Sequence, residues 1–346
     1  MILADNHTKE AINRIRNEHF KGKDPQLVEK ILKALTLLEL LAQEKAQFTF
    51  KGGTCLLLLL KTPRRFSIDL DLIVNQRDNL LQALDNICKN DQIFTSVKED
   101  KRPESKIPKA HYKVFYKSSI NEKVAYVLVD IIEDASPYPS VITSEIRPAY
   151  FKTAHPFPAV MTPSVNCILG DKMTAFAPRT TGIKLKSDKE MEIIKQLFDV
   201  ASLFDHATDF KEVEESFIYV VEKELKYRGL AHSYEDVLQD SFDAAKIIGL
   251  RGTVEKEIHS ELKEGVNKLK GYIFQPFGDR EAHICAAKVA YLAQALLKKH
   301  YSLIKFTGED VAQVEIKNPD YNKLNKIKAI SPEAFWYWHQ AINLMS

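Results

Sequence analysis

The sequence has few cysteines, almost no net charge and no long apolar run. Its four cysteines among 346 residues, Cys55, Cys88, Cys167 and Cys285, lie far apart and form no C-x-x-C pair. That spacing argues against a zinc site and a disulfide framework, and for a reducing compartment. The longest apolar run, Cys55 to Leu60, is far short of a membrane span. Met1 to Lys9 is charged and polar with no apolar centre, so no signal peptide is expected. A cytoplasmic protein away from the membrane, and a monomer, is the expectation. The formal net charge of +2 argues against nucleic-acid binding through bulk charge alone. There is no internal repeat and no low-complexity tract.

What is present is ordinary for a globular chain: 45% hydrophobic and 28% charged residues, over a length that suits two domains. Asp24-Pro25 opens a helical pattern reaching about Glu44, with Asp24 as N-cap. Residues 47–51 read as a short strand, Gly52-Gly53 as a break, and residues 54–60 as a short buried helix. A strand over 67–74, a helix over 77–89 and strands over 93–98, 111–116 and 123–133 follow; the last two form a hairpin. Residues 137–163 contain six prolines and read as an irregular connector. Beyond Pro163 the patterns are helical: 164–176, 188–204, 211–227, 233–248, 254–269, 279–300 and 332–344. The fold class expected is α+β, with a mixed-sheet domain over 1–155 and a helical domain over 156–346.

The stretch "FKGGTCLLLLLKTPRRFSIDLDLIV", Phe50 to Val74, stands out. On a strand Asp69 and Asp71 point to one face, while Leu70 and Leu72 face the core. Two carboxylates there repel unless a proton or cation intervenes, and hard divalent ions such as Mg²⁺ favour such oxygen ligands. An edge strand with two solvated aspartates has the same local pattern. Gly52 and Gly53, between strand and helix, allow backbone N–H groups to approach a phosphate, and Thr54 offers a hydroxyl. An ordinary tight turn has the same glycines. Arg64 and Arg65 add positive charge to the set.

A Gly-Gly turn, a short helix and Asp-h-Asp on a strand resemble the DNA polymerase β-type nucleotidyltransferases. More specifically, Lys51, Gly52, Gly53, Thr54, Leu56, Arg65, Ser67, Asp69, Leu70, Asp71 and Leu72 match the pattern K-G-G-T-x-L followed by R-x-S-x-D-L-D-L. That pattern resembles the AbiEii/AbiGii, or MenT-like, family of type IV toxin nucleotidyltransferases. The resemblance implies a polymerase-β-like domain, a nucleoside triphosphate substrate and Mg²⁺, or Mn²⁺, held by Asp69, Asp71 and a third carboxylate. Asp130, the lone charge on the strand face Val124, Tyr126, Leu128, Asp130, Ile132, is the candidate for that third position, and for general base. A strand-end aspartate held by a turn would look the same.

Two later motifs carry the resemblance into the helices. "ILGDKMTAFAPRTTGI" suggests Lys172 as a phosphate-binding lysine, and "EIIKQLFDVASLF" suggests Asp199, with Lys195 one turn earlier. On a helical wheel Ile194, Leu197, Ala201 and Phe204 form the buried stripe, and Lys195 and Asp199 fall away from it, as a solvated pair or as one wall of the nucleotide cleft in which Asp199 holds or orients Lys172. The run Lys195 to Val200 departs from the commoner family form, which has Arg-Asp or Lys-Asp before the final Asp-Leu.

The acceptor is read from residues 98–123, with eight Lys or Arg against four Asp or Glu. Lys98, Lys101, Arg102, Lys106, Lys109, Lys113 and Lys117, interleaved with His111, Tyr112, Phe115 and Tyr116, suit an RNA backbone and its bases. A solvated hairpin with lysine tips is the alternative. The resemblance implies transfer to the 3′ end of tRNA, growth inhibition, a cognate antitoxin and a part in phage defence by abortive infection. Modification of a protein side chain or a small antibiotic, and a non-catalytic nucleotide- or antitoxin-binding module, remain open beside it. Phosphorylation of Thr54 or Ser67 by an antitoxin would set negative charge beside the acidic pair.

Overall fold

The computed structural model describes residues 1–60, 62–102 and 107–345. It divides into two compact units, Met1–Ser136 with Ser140–Ser164, and Pro137–Pro139 with Val165–Ser346. The fold is α+β: the first unit holds a mixed seven-stranded sheet with helices, and the second is helical.

In the first unit the elements run α1 (Lys9–His19), α2 (Pro25–Gln43), β1 (Thr49–Lys51), α3 (Gly52–Leu59), β2 (Leu70–Val74), α4 (Arg77–Asn90), β3 (Phe94–Glu99), β4 (Lys109–Lys117), β5 (Val124–Glu133), β6 (Val141–Glu145) and β7 (Ala159–Pro163). The spatial order is β3-β4-β5-β2-β1-β7-β6. Pairs β2/β5 and β1/β7 are parallel, and the others antiparallel. One face is apolar: Phe50, Leu72, Val114, Val129 and Ile131 are buried there.

Helix α2 starts where Asp24 accepts the Gln26 N–H at 2.8 Å and Pro25 pre-sets the first turn. It carries buried polar groups as well as leucines, and each has a partner. Glu29 accepts from the Ser118 hydroxyl and the Ser119 N–H, both at 2.6 Å, which ties α2 to the β4–β5 turn. Glu39 accepts from the Ile2 N–H at 2.8 Å.

Three expectations change. The 67–74 strand begins only at Leu70, so Asp69 precedes the ladder. The proline-rich connector contains β6 and β7: its prolines at 148, 156 and 158 fall between those strands, where no ladder N–H is needed. Helix α1 was not expected, because only Ala11, Ile12 and Ile15 of its eleven residues are buried.

The second unit consists of α5 (Val165–Ala175), α6 (Glu190–Phe204), α7 (Phe210–Arg228), α8 (Tyr234–Gly249), α9 (Lys256–Leu269), α10 (Asp279–Leu297) and α11 (Pro332–Met345). Helix α10 is buried over most of its length, and Phe204, Tyr291 and Tyr337 pack together as an aromatic centre. Helix α6 is buried nearly all round: Ile193, Ile194, Leu197, Phe198, Asp199, Val200 and Leu203 are all inside. The expected single buried stripe is therefore too narrow, and Asp199 is interior at 1% exposure. No helix among the described residues is long and apolar enough to cross a membrane.

Candidate active site

The site grows from one row of the sheet. Lys51 of β1 lies opposite Asp71 of β2, Asp71 beside Asp130 of β5, and Asp130 opposite His111 of β4. Laterally paired residues present their side chains to the same face. The row therefore reads cation, carboxylate, carboxylate, imidazole. Neighbouring strands sit roughly 4.8 Å apart, so like charges in register repel strongly unless balanced. At one flank the His111 Nδ1 meets Asp130 Oδ1 at 2.6 Å, with Arg102 Nη2 at 4.0 Å. Asp100, whose N–H donates to the His111 carbonyl, binds Lys113 Nζ at 2.6 Å and Arg102 Nε at 3.3 Å.

The turn ahead of α3 is packed onto this row. Gly52 has φ +75°, in the left-handed region, and a Cβ there would run into the Asp71 carboxylate. A Cβ on Gly53 would lie 2.6 Å from both Arg65 Nη2 and Ser67 Oγ. The glycines thus make room for the side chains of the acidic segment itself. Arg65 is buried and donates through Nη1 to the Phe66 carbonyl at 2.8 Å. Thr54 is fully buried, and its Oγ1 has no hydrogen-bond partner among the described residues. A phosphate on that hydroxyl needs α3 to open first; Ser67 is half-buried and has no such barrier.

The structure thus brings together Gly52, Gly53, Arg65, Ser67 and Asp71 at the turn, and joins Asp71 to Asp130 by the ladder. Asp69 stands two residues before Asp71, one residue outside the strand. Among the described residues, no group of three or more His, Cys, Asp or Glu side chains gathers as a metal centre. The donor set still suits Mg²⁺, which commonly uses one or two carboxylates and completes its shell with water and substrate phosphates. Asp71 and Asp130 supply those two carboxylates on one face. Sequence reasoning missed His111 as the partner of Asp130, because cross-strand register is not visible in a linear pattern.

The basic hairpin is corrected in part. Tyr112 and Tyr116 are buried on the apolar face, 9% and 1% exposed, and cannot stack a base. Phe115 and the unanticipated Tyr126, 43% exposed, occupy the face that carries His111 and Asp130. Their rings meet edge-on at 6.0 Å, with Lys98 Nζ 5.7 Å from the Phe115 centroid and Lys113 Nζ 5.0 Å from that of Tyr126. Lys106 lies outside the described residues.

In the second unit Lys172 of α5 and Asp199 of α6 form a buried pair, Nζ to Oδ2 3.1 Å, and Nζ also donates to Gln196 Oε1 at 3.1 Å. Gln196 sits where the sequence departs from the commoner family form, and it serves the lysine. Asp199 is thus interior: it is not part of a solvated pair with Lys195, and it meets Lys172, the lysine it was expected to hold in the alternative reading. Lys195 approaches Glu192 at 4.0 Å and the Tyr272 ring at 5.2 Å.

Gly52→Ala tests the packing of turn on strand. The left-handed φ and the Asp71 contact together predict a loss of about 1–3 kcal/mol in urea unfolding. An unchanged midpoint would mean that Asp71 does not rest on the turn.

Comparison with known proteins adds the family. No curated protein matches the chain. Among solved structures, JHP933 from Helicobacter pylori is similar at 21% identity and TM-score 0.49, covering 80% of this chain and 94% of that one. A protein from H. pylori provisionally described as a nucleotidyltransferase is similar at 21% identity and TM-score 0.47, covering 78% and 93%. The family model described as nucleotidyl transferase AbiEii toxin, type IV TA system, matches residues 36–283, which span the turn, the carboxylate row and the Lys172–Asp199 pair. The chain belongs to the AbiEii family of toxin nucleotidyltransferases.

Proposed function

We propose that this protein transfers a nucleotide from a nucleoside triphosphate to the 3′ end of tRNA, as the toxin partner of an antitoxin and within phage defence. The observation that carries the reading is the register Lys51–Asp71–Asp130–His111, two carboxylates set side by side on one open face of the sheet. Asp71 and Asp130, with Asp69 beside them, are the residues to hold Mg²⁺, with Mn²⁺ as a substitute. When bound, the ion supplies charge neutralisation for the triphosphate.

The chain's own groups divide the remaining tasks. The turn at Gly52 and the first N–H groups of α3 offer donors to phosphate oxygens, with Arg65 behind them. In the transfer step the acceptor hydroxyl oxygen bonds to the α-phosphorus, the bond from that phosphorus to the bridging oxygen breaks, and pyrophosphate leaves with the electron pair. The hydroxyl proton passes to Asp130, whose carboxylate is fixed by His111. The Phe115–Tyr126 surface, flanked by Lys98 and Lys113 on the same sheet face, supports an unpaired RNA end as the acceptor, since stacked bases and lysines suit single strands.

Label transfer tests the reaction. With Mg²⁺, total tRNA and each α-labelled nucleoside triphosphate in turn, the wild type labels tRNA with at least one nucleotide, and Asp71→Asn or Asp130→Asn abolishes the label. Label on a protein or a small molecule would replace the acceptor while keeping the chemistry. No label on any acceptor, from a folded chain that binds no nucleotide, would sink the reading.

The acceptor surface has its own readout. Phe115→Ala and Tyr126→Ala should each raise KM for tRNA about 5- to 150-fold, at about 1–3 kcal/mol per stacked base, with KM for the nucleotide unchanged. Equal effects on both substrates would place the acceptor elsewhere.

We also propose Lys172 as a phosphate-binding lysine held by Asp199. Removing one member leaves a buried charge, whereas Lys172→Met with Asp199→Leu removes both and should leave stability within a few kcal/mol of wild type. Transfer lost in that folded double variant supports a role with phosphate; full activity would leave the pair a structural one.

A further inference from the structure

The first unit holds a cavity of about 580 Å³ where the segment between α2 and β1 meets β6, β7 and the end of β2. Four of its lining residues, Thr143, Met161, Thr49 and Ile73, are lateral partners across β6, β7, β1 and β2, so they form one row of the sheet. Thr49 stands two residues before Lys51, and Ile73 two residues after Asp71. Residues two apart on a strand share a face. The cavity row therefore lies on the face that carries the carboxylate row, about 7 Å from it at roughly 3.4 Å per residue.

Strand β1 spaces out the site. Thr49 lines the cavity, Lys51 belongs to the carboxylate row, and Gly52 begins the turn. Turn and cavity thus stand on opposite sides of that row. A triphosphate at the turn, with its α-phosphorus over Asp71 and Asp130, has a nucleoside left to place, and the cavity is one ribose away. The Phe115–Tyr126 surface lies in the other direction. Tyr126 precedes Asp130 on β5, which runs parallel to β2, whereas Ile73 follows Asp71.

The lining selects the ligand. The volume falls within the roughly 300–1,000 Å³ of small-molecule sites. Phe48, Ile73 and Val160 are buried apolar residues, and Met161 is 43% exposed, so the flat face of a base gains apolar contact there. The polar groups are Lys45, the Gln47 and Asn75 amides, and the hydroxyls of Thr49, Ser136 and Thr143. Among the described residues no carboxylate lines the cavity, and Lys45 is its one charge. A single exposed lysine does not suit a phosphate group, whereas an uncharged ring with polar edges matches the set. Asn and Gln amides pair with the adenine edge and lysine with guanine, while the amino group of cytosine calls for a carboxylate.

We propose that this cavity holds the purine nucleoside of the donor triphosphate, with Gln47, Asn75 and Lys45 reading the base. The proposal rests on the nucleotidyltransferase reading and adds which class of nucleotide is bound, and where.

The test follows the methyl groups of Ile73 and Met161 by ¹H–¹³C NMR in the full chain, with Mg²⁺ and no acceptor. Inorganic triphosphate, the four nucleoside triphosphates and the RNA trinucleotide cytidyl-cytidyl-adenosine are titrated separately. The expected result is saturable movement of both methyls by ATP, GTP or both, with CTP and UTP bound about tenfold or more weakly. Gln47→Leu with Asn75→Leu should weaken ATP about 5- to 150-fold, and Lys45→Met should weaken GTP by a similar factor. Both variants should bind inorganic triphosphate as the wild type does. The three side chains are exposed, so the fold is not at stake. Nucleotides that bind without moving the methyls, purine affinity unchanged in the variants, or a preference for pyrimidines would overturn the proposal and leave the nucleotidyltransferase reading standing. Movement by the trinucleotide alone would give the cavity to the acceptor and overturn it as well. A folded chain that binds neither triphosphate nor any nucleotide would sink both.

Discussion

Two carboxylates in register on neighbouring strands repel each other, and the first unit is arranged around that repulsion. Asp71 and Asp130 are lateral partners in the parallel β2–β5 ladder. The ladder cannot slide by one residue to separate them, because that would turn Leu72 and Ile131 out of the core. The row is instead met from both flanks: Lys51 of β1 stands in register with Asp71, and Asp130 is bonded to His111 with the Arg102 guanidinium nearby. Apolar burial on one face of the sheet thereby stabilises a concentration of negative charge on the other. Each alternating strand is both a core element and part of the site.

The same constraint accounts for the glycines. A strand-to-helix turn closing over Asp71 must leave room for its carboxylate, and Gly52 does so at a positive φ. Gly53 does the same for Arg65 and Ser67. A turn so packed presents helix N–H groups next to the carboxylates with little reorganisation, which suits a site that must receive a highly charged ligand. The need for small residues thus comes from within the protein as well as from any phosphate.

Much of this was legible in the linear sequence, for physical reasons. The apolar run from Val124 to Ile132 marks β5, but apolar residues on both sides hide which face is inside: Val127, Val129 and Ile131 are buried, and Asp130 stands on the open face with Val124 and Tyr126. The seven helices of the second unit were legible from apolar period. What alternation and period cannot carry is lateral information. The pairing of His111 with Asp130 depends on hairpin register, and the exposure of Tyr126 depends on which face the helices cover. Strands β6 and β7 were hidden by prolines that lie mostly outside them. Asp199 was misplaced because a helical wheel assumes one buried side, and α6 is surrounded.

The two units handle interior polarity differently. In the second, charges are buried in matched sets: Lys172 with Asp199 and Gln196, and Lys288 with Asp205 and Glu333 at 2.7 and 2.9 Å. Each such set contributes little net stability once desolvation is counted, but losing one member is costly. These clusters therefore make the helical packing intolerant of single polar changes without adding much to its strength.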